Sequence, residues 1–339
     1  MSASAQTPAP APETAPETAS HGRLTHFPIT FFATSMGLGG YTLALRAAGG
    51  PLGFGAAPYQ VMFALTVLAF ALISLFYLAK AALHWRAVVA EWHHPVRLAF
   101  FPTVSVSMLL LAIVAMSLSR PVALALWSLG TALQGVLTLA VISGWIGTRS
   151  FQHGHLNPAW FIPAVGNVIV PVAGAQLGFA EISWLFFSAG LIFWVVLLTL
   201  VFNRLVFHDP LPGRLQPTLV IMIAPPAVAF IAWVRLAGIG PGAVDPFGHI
   251  LLSLGYVFAA LMAVQLPRIL RLPFAMSFWA LSFPVAALTI ASFLYAELAG
   301  SDTHLRLATA LLAVLTVLIL GLVLRTAAGI LRGEICQPE

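Results

Sequence analysis

This sequence predicts an all-α integral membrane protein of ten transmembrane helices, arranged as five helical hairpins around a central pore. Three observations lead there. Hydrophobic residues make up 60% of the 339 residues and charged residues 7%, whereas a soluble domain carries about 25% charged residues. Apolar runs free of charge recur at the length of about 20 residues that crosses a bilayer. A proline opens every second run.

The first 20 residues, MSASAQTPAPAPETAPETAS, are rich in Pro, Ala, Ser and Thr and contain no Lys or Arg. A signal peptide needs a positive start and an apolar core, so residues 1–22 read as a disordered cytosolic tail. The ten spans then follow at residues 28–48, 59–79, 96–118, 121–147, 158–178, 182–202, 217–236, 247–266, 274–295 and 305–324. Residues 23–332 form one transmembrane domain, and residues 333–339 a short cytosolic C-terminal tail.

Orientation follows from Lys and Arg in short loops. The side of both termini holds Arg23, Lys80, Arg86, Arg97, Arg149, Arg204, Arg214, Arg268, Arg271, Arg325 and Arg332; the other holds Arg46, Arg120, Arg235 and Arg306. Eleven against four places both termini in the cytoplasm, with a bacterial inner membrane as the expected location.

The proline repeat carries the hairpin reading. Pro28, Pro95, Pro158, Pro217 and Pro273 open the odd spans, at intervals of 67, 63, 59 and 56 residues. Proline suits a first helical turn, where its missing N–H has no partner to lose. The odd spans are broken again in mid-membrane, at Pro102, at Pro163 with Gly166 and Pro171, at Pro225-Pro226, and at Pro284. The first has Gly37, Gly39 and Gly40 instead. Even spans hold proline only at their ends. A mid-membrane break is tolerated where freed carbonyls meet protein or water, so the odd helices are expected to line a cavity and the even ones to face lipid. Membrane helices also contain Pro and Gly without such a role. Five helices about 10 Å apart and about 5 Å in radius would enclose a hole roughly 3.5 Å in radius, narrow enough for one phenyl ring to block.

Other chemistry is sparse. Cys336 is the single cysteine, which excludes a disulfide framework. His84, His93, His94, His153 and His155 show no metal-ligand spacing. No cofactor motif, phosphate loop or nucleophile–base pair appears, so no enzyme, metal or cofactor is expected, and the unclustered charge gives no nucleic-acid footprint. No Asp, Glu, Lys or Arg falls deep in a span, which argues against a carboxylate proton relay or an acidic cation filter. Arg97, Arg271, Arg214 and Arg149, with Arg23, stand near the starts of odd spans. They could form a cationic vestibule that concentrates anions, or serve only as topology signals. Thr34, Ser35, Thr103, Ser105 and Ser282 could donate to a passing anion or bond back to their own helices.

Five strings, FPITFFATSMGLGG (27–40), HPVRLAFFP (94–102), VGN (165–167), IAPPAVAFIAW (223–233) and SFWALSFPVAALT (277–289), occur in order in the odd spans. Together they resemble the tellurite-resistance/dicarboxylate transporter family over residues 23–330. That family includes bacterial TehA, fungal malate and sulfite transporters and the slow-type anion channels of plant guard cells. The first span departs from the family pattern, with Ser35 near the place of a frequent proline. The resemblance implies a homotrimer with one pore per subunit, small inorganic or organic anions as substrates, and a gate formed by Phe283, with Phe101 or Phe100 as a second aromatic. The alternative it leaves open is a secondary carrier for C4-dicarboxylates, sulfite or tellurium oxyanions, with or without proton linkage.

Overall fold

The computed structural model describes residues 22–147 and 151–337. Residues 1–21 of the tail expected over 1–22, Arg149, and the last two residues lie outside that range. Among the described residues all regular structure is helical. The α-helices are α1 (Phe32–Gly49), α2 (Ala57–Leu83), α3 (Trp85–His93), α4 (Thr103–Ala115), α5 (Arg120–Gly147), α6 (Phe161–Val165), α7 (Val170–Leu177), α8 (Ala180–Phe207), α9 (Ala224–Leu236), α10 (Pro246–Ile269), α11 (Ser282–Ala299) and α12 (Asp302–Leu331). Among the described residues, nine segments are long and apolar enough to cross a membrane, so this is a multi-pass membrane protein. The first of the ten expected spans is the exception. Gly37, Gly39, Gly40, Thr34, Ser35, Thr42 and Arg46 dilute the apolar character of α1. It nevertheless packs inside, against α2, α4, α11 and α12, where small and polar residues cost little.

Burial alternates along the chain. About four-fifths of an 18-residue apolar stretch is buried in each of Arg97–Ala115, Pro158–Leu177, Gly213–Leu236 and Met276–Ala299, against a third or less of the corresponding stretch in Ala57–Leu83, Arg120–Gly147, Ala180–Phe207, Pro246–Ile269 and Asp302–Leu331. The buried helices pack in a closed cycle: α1 on α4, α4 on α7, α7 on α9, α9 on α11, and α11 on α1. Each also packs against an exposed neighbour in sequence, α1 on α2, α4 on α5, α7 on α8, α9 on α10 and α11 on α12. Exposed Leu, Val and Ile cover the latter helices, the surface that a hydrocarbon solvent requires.

The prolines sit where helix type changes. All five buried segments begin as 3-10 turns, at Ile29–Phe31, Arg97–Phe100, Pro158–Trp160, Gly213–Ile223 and Met276–Leu281, and continue as α-helix. Pro102 caps α4, Pro171 and Pro225 fall in the first turns of α7 and α9, and Pro284 is the third residue of α11. At these positions a missing N–H leaves no carbonyl unpaired. Pro163 lies inside α6, and Gly166 opens a further 3-10 turn at Gly166–Ile169. Gly37, expected as a breaker, stands inside the uninterrupted α1. Its role is close approach: a Cβ there would lie 2.9 Å from Ser282 Cβ, and nearer still to its Oγ.

One short element was not expected. Helix α3 occupies a stretch read as a cytosolic loop, and its Glu91 is buried. Glu91 Oε2 accepts from Lys80 Nζ at 2.9 Å and from Tyr77 Oη at 3.0 Å, and Oε1 accepts from Ile29 N at 3.3 Å. Arg97 Nη1 lies 3.8 Å from Oε1, and Lys80 Nζ also donates to Phe27 O at 2.9 Å. Lys80, placed in a loop by the sequence reading, is therefore a buried charge at the end of α2, and the cluster ties α2, α3 and the starts of two buried segments together.

Candidate functional site

Two cavities lie along the axis of the closed cycle. The smaller, about 50 Å³, is lined by Met36, Val106, Phe161, Ile162, Val165, Gly166, Val168, Ile169, Ile221, Ala224, Pro225, Val228, Ala280, Phe283 and Pro284. All five buried segments contribute, and every lining side chain is apolar. A space of that size has room for a few water molecules at about 10–15 Å³ each, with no side-chain group to bond them. The larger, about 570 Å³, opens at the C-terminal ends of the buried helices, where Gly50, Met116, Gln176, Arg235 and Glu297 line it. Ile169, Val228 and Phe283 belong to both linings. The Phe283 ring, 8% exposed, is thus part of the wall between the spaces. Gly40 makes room for it: a Cβ there would meet the ring at 3.1 Å.

The cavity stays apolar because nearby hydroxyls and amides are occupied by backbone carbonyls. Thr103 Oγ1 donates to Phe100 O, Ser105 Oγ to Pro102 O and Ser282 Oγ to Trp279 O. Ser35 Oγ donates to Phe32 O. Thr138 Oγ1 and Gln134 Nε2 both reach Pro163 O, at 2.8 and 3.2 Å, and Asn167 Nδ2 donates to Ala164 O at 2.8 Å. Carbonyls around the helix-type changes are satisfied within the protein, as burial demands. Thr34 Oγ1 is the exception among the five hydroxyls named from sequence, buried without a hydrogen-bond partner.

The sequence-derived site residues separate. Phe283, Gly166, Pro225 and Pro284 line the small cavity; Pro102, Pro163 and Gly37 do not. Phe101 stands edge-on to Trp92, with ring centroids 5.0 Å apart, and faces Tyr77 at 6.4 Å. Phe100 is buried, and neither Phe100 nor Phe101 lines either cavity. Arg97 faces Glu91, and Arg214 and Arg271 are exposed; none of them lines either cavity.

The arginines that do line the larger cavity are Arg46 and Arg235, which sequence reasoning set aside as the minority on the far side. Each lies in the last turn of its helix, where a cation offsets the partial negative charge of unpaired carbonyls. Arg46 Nη1 donates to Ile113 O at 2.8 Å, near the end of α4. The signal was available: both arginines end an odd span, so both had to stand at the mouth of any axial cavity.

The chain matches the SLAC1 family model, described as voltage-dependent anion channel, over residues 26–327. It is similar to an uncharacterized transporter of Methanocaldococcus jannaschii, 26% identical over 71% of this chain and 77% of that one. It is also similar to the S-type anion channel SLAH3 of Arabidopsis thaliana, 26% identical over 89% of this chain and 48% of the plant protein. A tellurite resistance protein TehA homolog of Haemophilus influenzae is 28% identical over 64% of this chain and 65% of its own length. The chain thus spans about half of the plant relative.

Proposed function

The chain belongs to the SLAC1 voltage-dependent anion channel family, and from that premise we propose that it is a gated channel for small anions, with Phe283 as the stopper of its path. The single observation that carries this reading is the position of the Phe283 ring, shared by the walls of the dry inner cavity and the wide outer one. An ion entering an apolar space too small for its hydration shell meets a large desolvation barrier, and narrow hydrophobic segments block by excluding water. Turning or removing the ring joins the two spaces.

In this reading, residues 23–332 cross the membrane ten times as five hairpins, with α1 as the remaining span and the breaks of the buried helices shaping the path. Both termini face the cytoplasm, on the side richer in Lys and Arg, and copies assemble as trimers. A proton-linked carrier for dicarboxylates or oxyanions, the other reading the sequence leaves open, finds less support, since no titratable side chain lines the inner cavity.

The test is Phe283→Ala in planar bilayers. The expected outcome is anion conductance about tenfold above the parent, which a barrier lower by roughly 1.4 kcal/mol would give. A variant no more conductive than the parent counts against the gate. A reversal potential that follows an imposed pH gradient counts for the carrier.

A further inference from the structure

We propose that the wide cavity is a capture site for monovalent anions, and that Glu297 sets this preference against divalent ones. The inference rests on the channel reading above and adds the charge class of its substrate. Three ionisable side chains line the cavity: Arg46, Arg235 and Glu297. They come from α1, α9 and α11, consecutive members of the cycle of buried helices. The charges of Arg46 and Glu297 both act on Arg235. Among the described residues, neither Arg235 nor Glu297 is held in an ion pair within 4.0 Å.

Size does not choose the ligand. A cavity of about 570 Å³ admits chloride, nitrate, sulfate or a C4-dicarboxylate alike. Charge does. Two guanidinium groups and one carboxylate leave the lining at +1. One chloride or nitrate brings it to neutrality, whereas a divalent anion takes it to −1. That excess falls where five helices present their C-terminal ends, each carrying about half a negative charge. Without the two arginines the mouth would repel any anion. Without Glu297 the lining would be +2 and would match a divalent anion instead. One uncompensated charge at about 4 Å in a water-like dielectric changes occupancy about fivefold.

The experiment uses the full chain in planar bilayers at low ionic strength, in the Phe283→Ala background, with chloride facing sulfate. The reversal potential reports the sulfate-to-chloride permeability ratio. Glu297→Gln is expected to raise this ratio about fivefold. Arg235→Gln is expected to move it the opposite way and to lower chloride conductance. Both effects should fade near 1 M salt, where the screening length falls to about 3 Å. Glu181→Gln is the control: Glu181 begins α8 at the same end of the molecule but does not line the cavity, and its ratio should equal the parent's. Glu297 is exposed, so its replacement removes no core packing, and Arg235→Gln tests the same charge sum with opposite sign. A chloride current whose ratio is unmoved by both variants, or moved as much by Glu181→Gln, overturns the inference and leaves the channel standing. Absence of chloride current in the parent and in Phe283→Ala alike removes the channel itself.

Discussion

Lys80 and Glu91 show what a single buried charge does in this molecule. Side-chain exposure of both is 2%, and Glu91 also receives Tyr77 Oη and Ile29 N. Removing one partner of such a pair leaves the other charge desolvated, at a cost of about 3–5 kcal/mol. Lys80→Met is therefore expected to lower the melting temperature in detergent markedly. Lys80→Met with Glu91→Gln should lose less than the two single losses added, because the pair acts as a unit. A second expectation concerns Cys336, where burial pushes the thiol pKa up. Less thiolate then forms near neutrality, so alkylation by a maleimide should be slower than for an unfolded control at pH 7 and should rise steeply with pH. The sequence pointed to Phe283 through the family strings, and that ring borders both cavities. Lys80 and Glu91 escaped because they flank the break at His84, and a count of positive residues cannot tell a solvated loop lysine from one folded back into a helix end.

Among elements, the buried segments tolerate their prolines because hydroxyl and amide side chains accompany them. Thr138 and Gln134, on the exposed neighbour α5, serve the carbonyl of Pro163 on α6, so a helix facing lipid maintains one facing the core. Helix α1 follows a different rule. At Gly37 the gain of roughly 1 kcal/mol that alanine offers a helix interior is set against overlap with Ser282 on α11. Overpacking of this kind costs typically 1–3 kcal/mol, so Gly37→Ala should destabilise, as read by thermal unfolding. Adding Ser282→Gly should recover part of the loss. Proline spacing made the order of elements legible. The glycines of α1 were misread as breakers because a sequence does not distinguish a glycine that bends a helix from one that admits a neighbour.

At the scale of the molecule, hydropathy led to ten expected spans, nine of which correspond among the described residues to segments long and apolar enough to cross a membrane, and proline alternation anticipated which would be buried. The sequence reading placed a cationic vestibule at the helix starts, whereas the cavity that has arginines in its lining opens at the helix ends. Arg97, Arg214 and Arg271 were weighed by their number and proximity to helix starts, while Arg46 and Arg235 stand where helices end and a cavity opens. Charge counting reads which side of a bilayer a loop occupies; it carries no information on which residues converge on an axis. The wide space belongs to one end of the molecule and tapers onto the shared wall of Ile169, Val228 and Phe283. Such a funnel makes plugging one-sided. A bulky organic sulfonate, too broad for the neck, should lodge there and silence current when added to the compartment facing Arg46 and Arg235, and have far less effect from the compartment of the termini. Currents recorded with the compound in either chamber would reveal which way the funnel points in a bilayer.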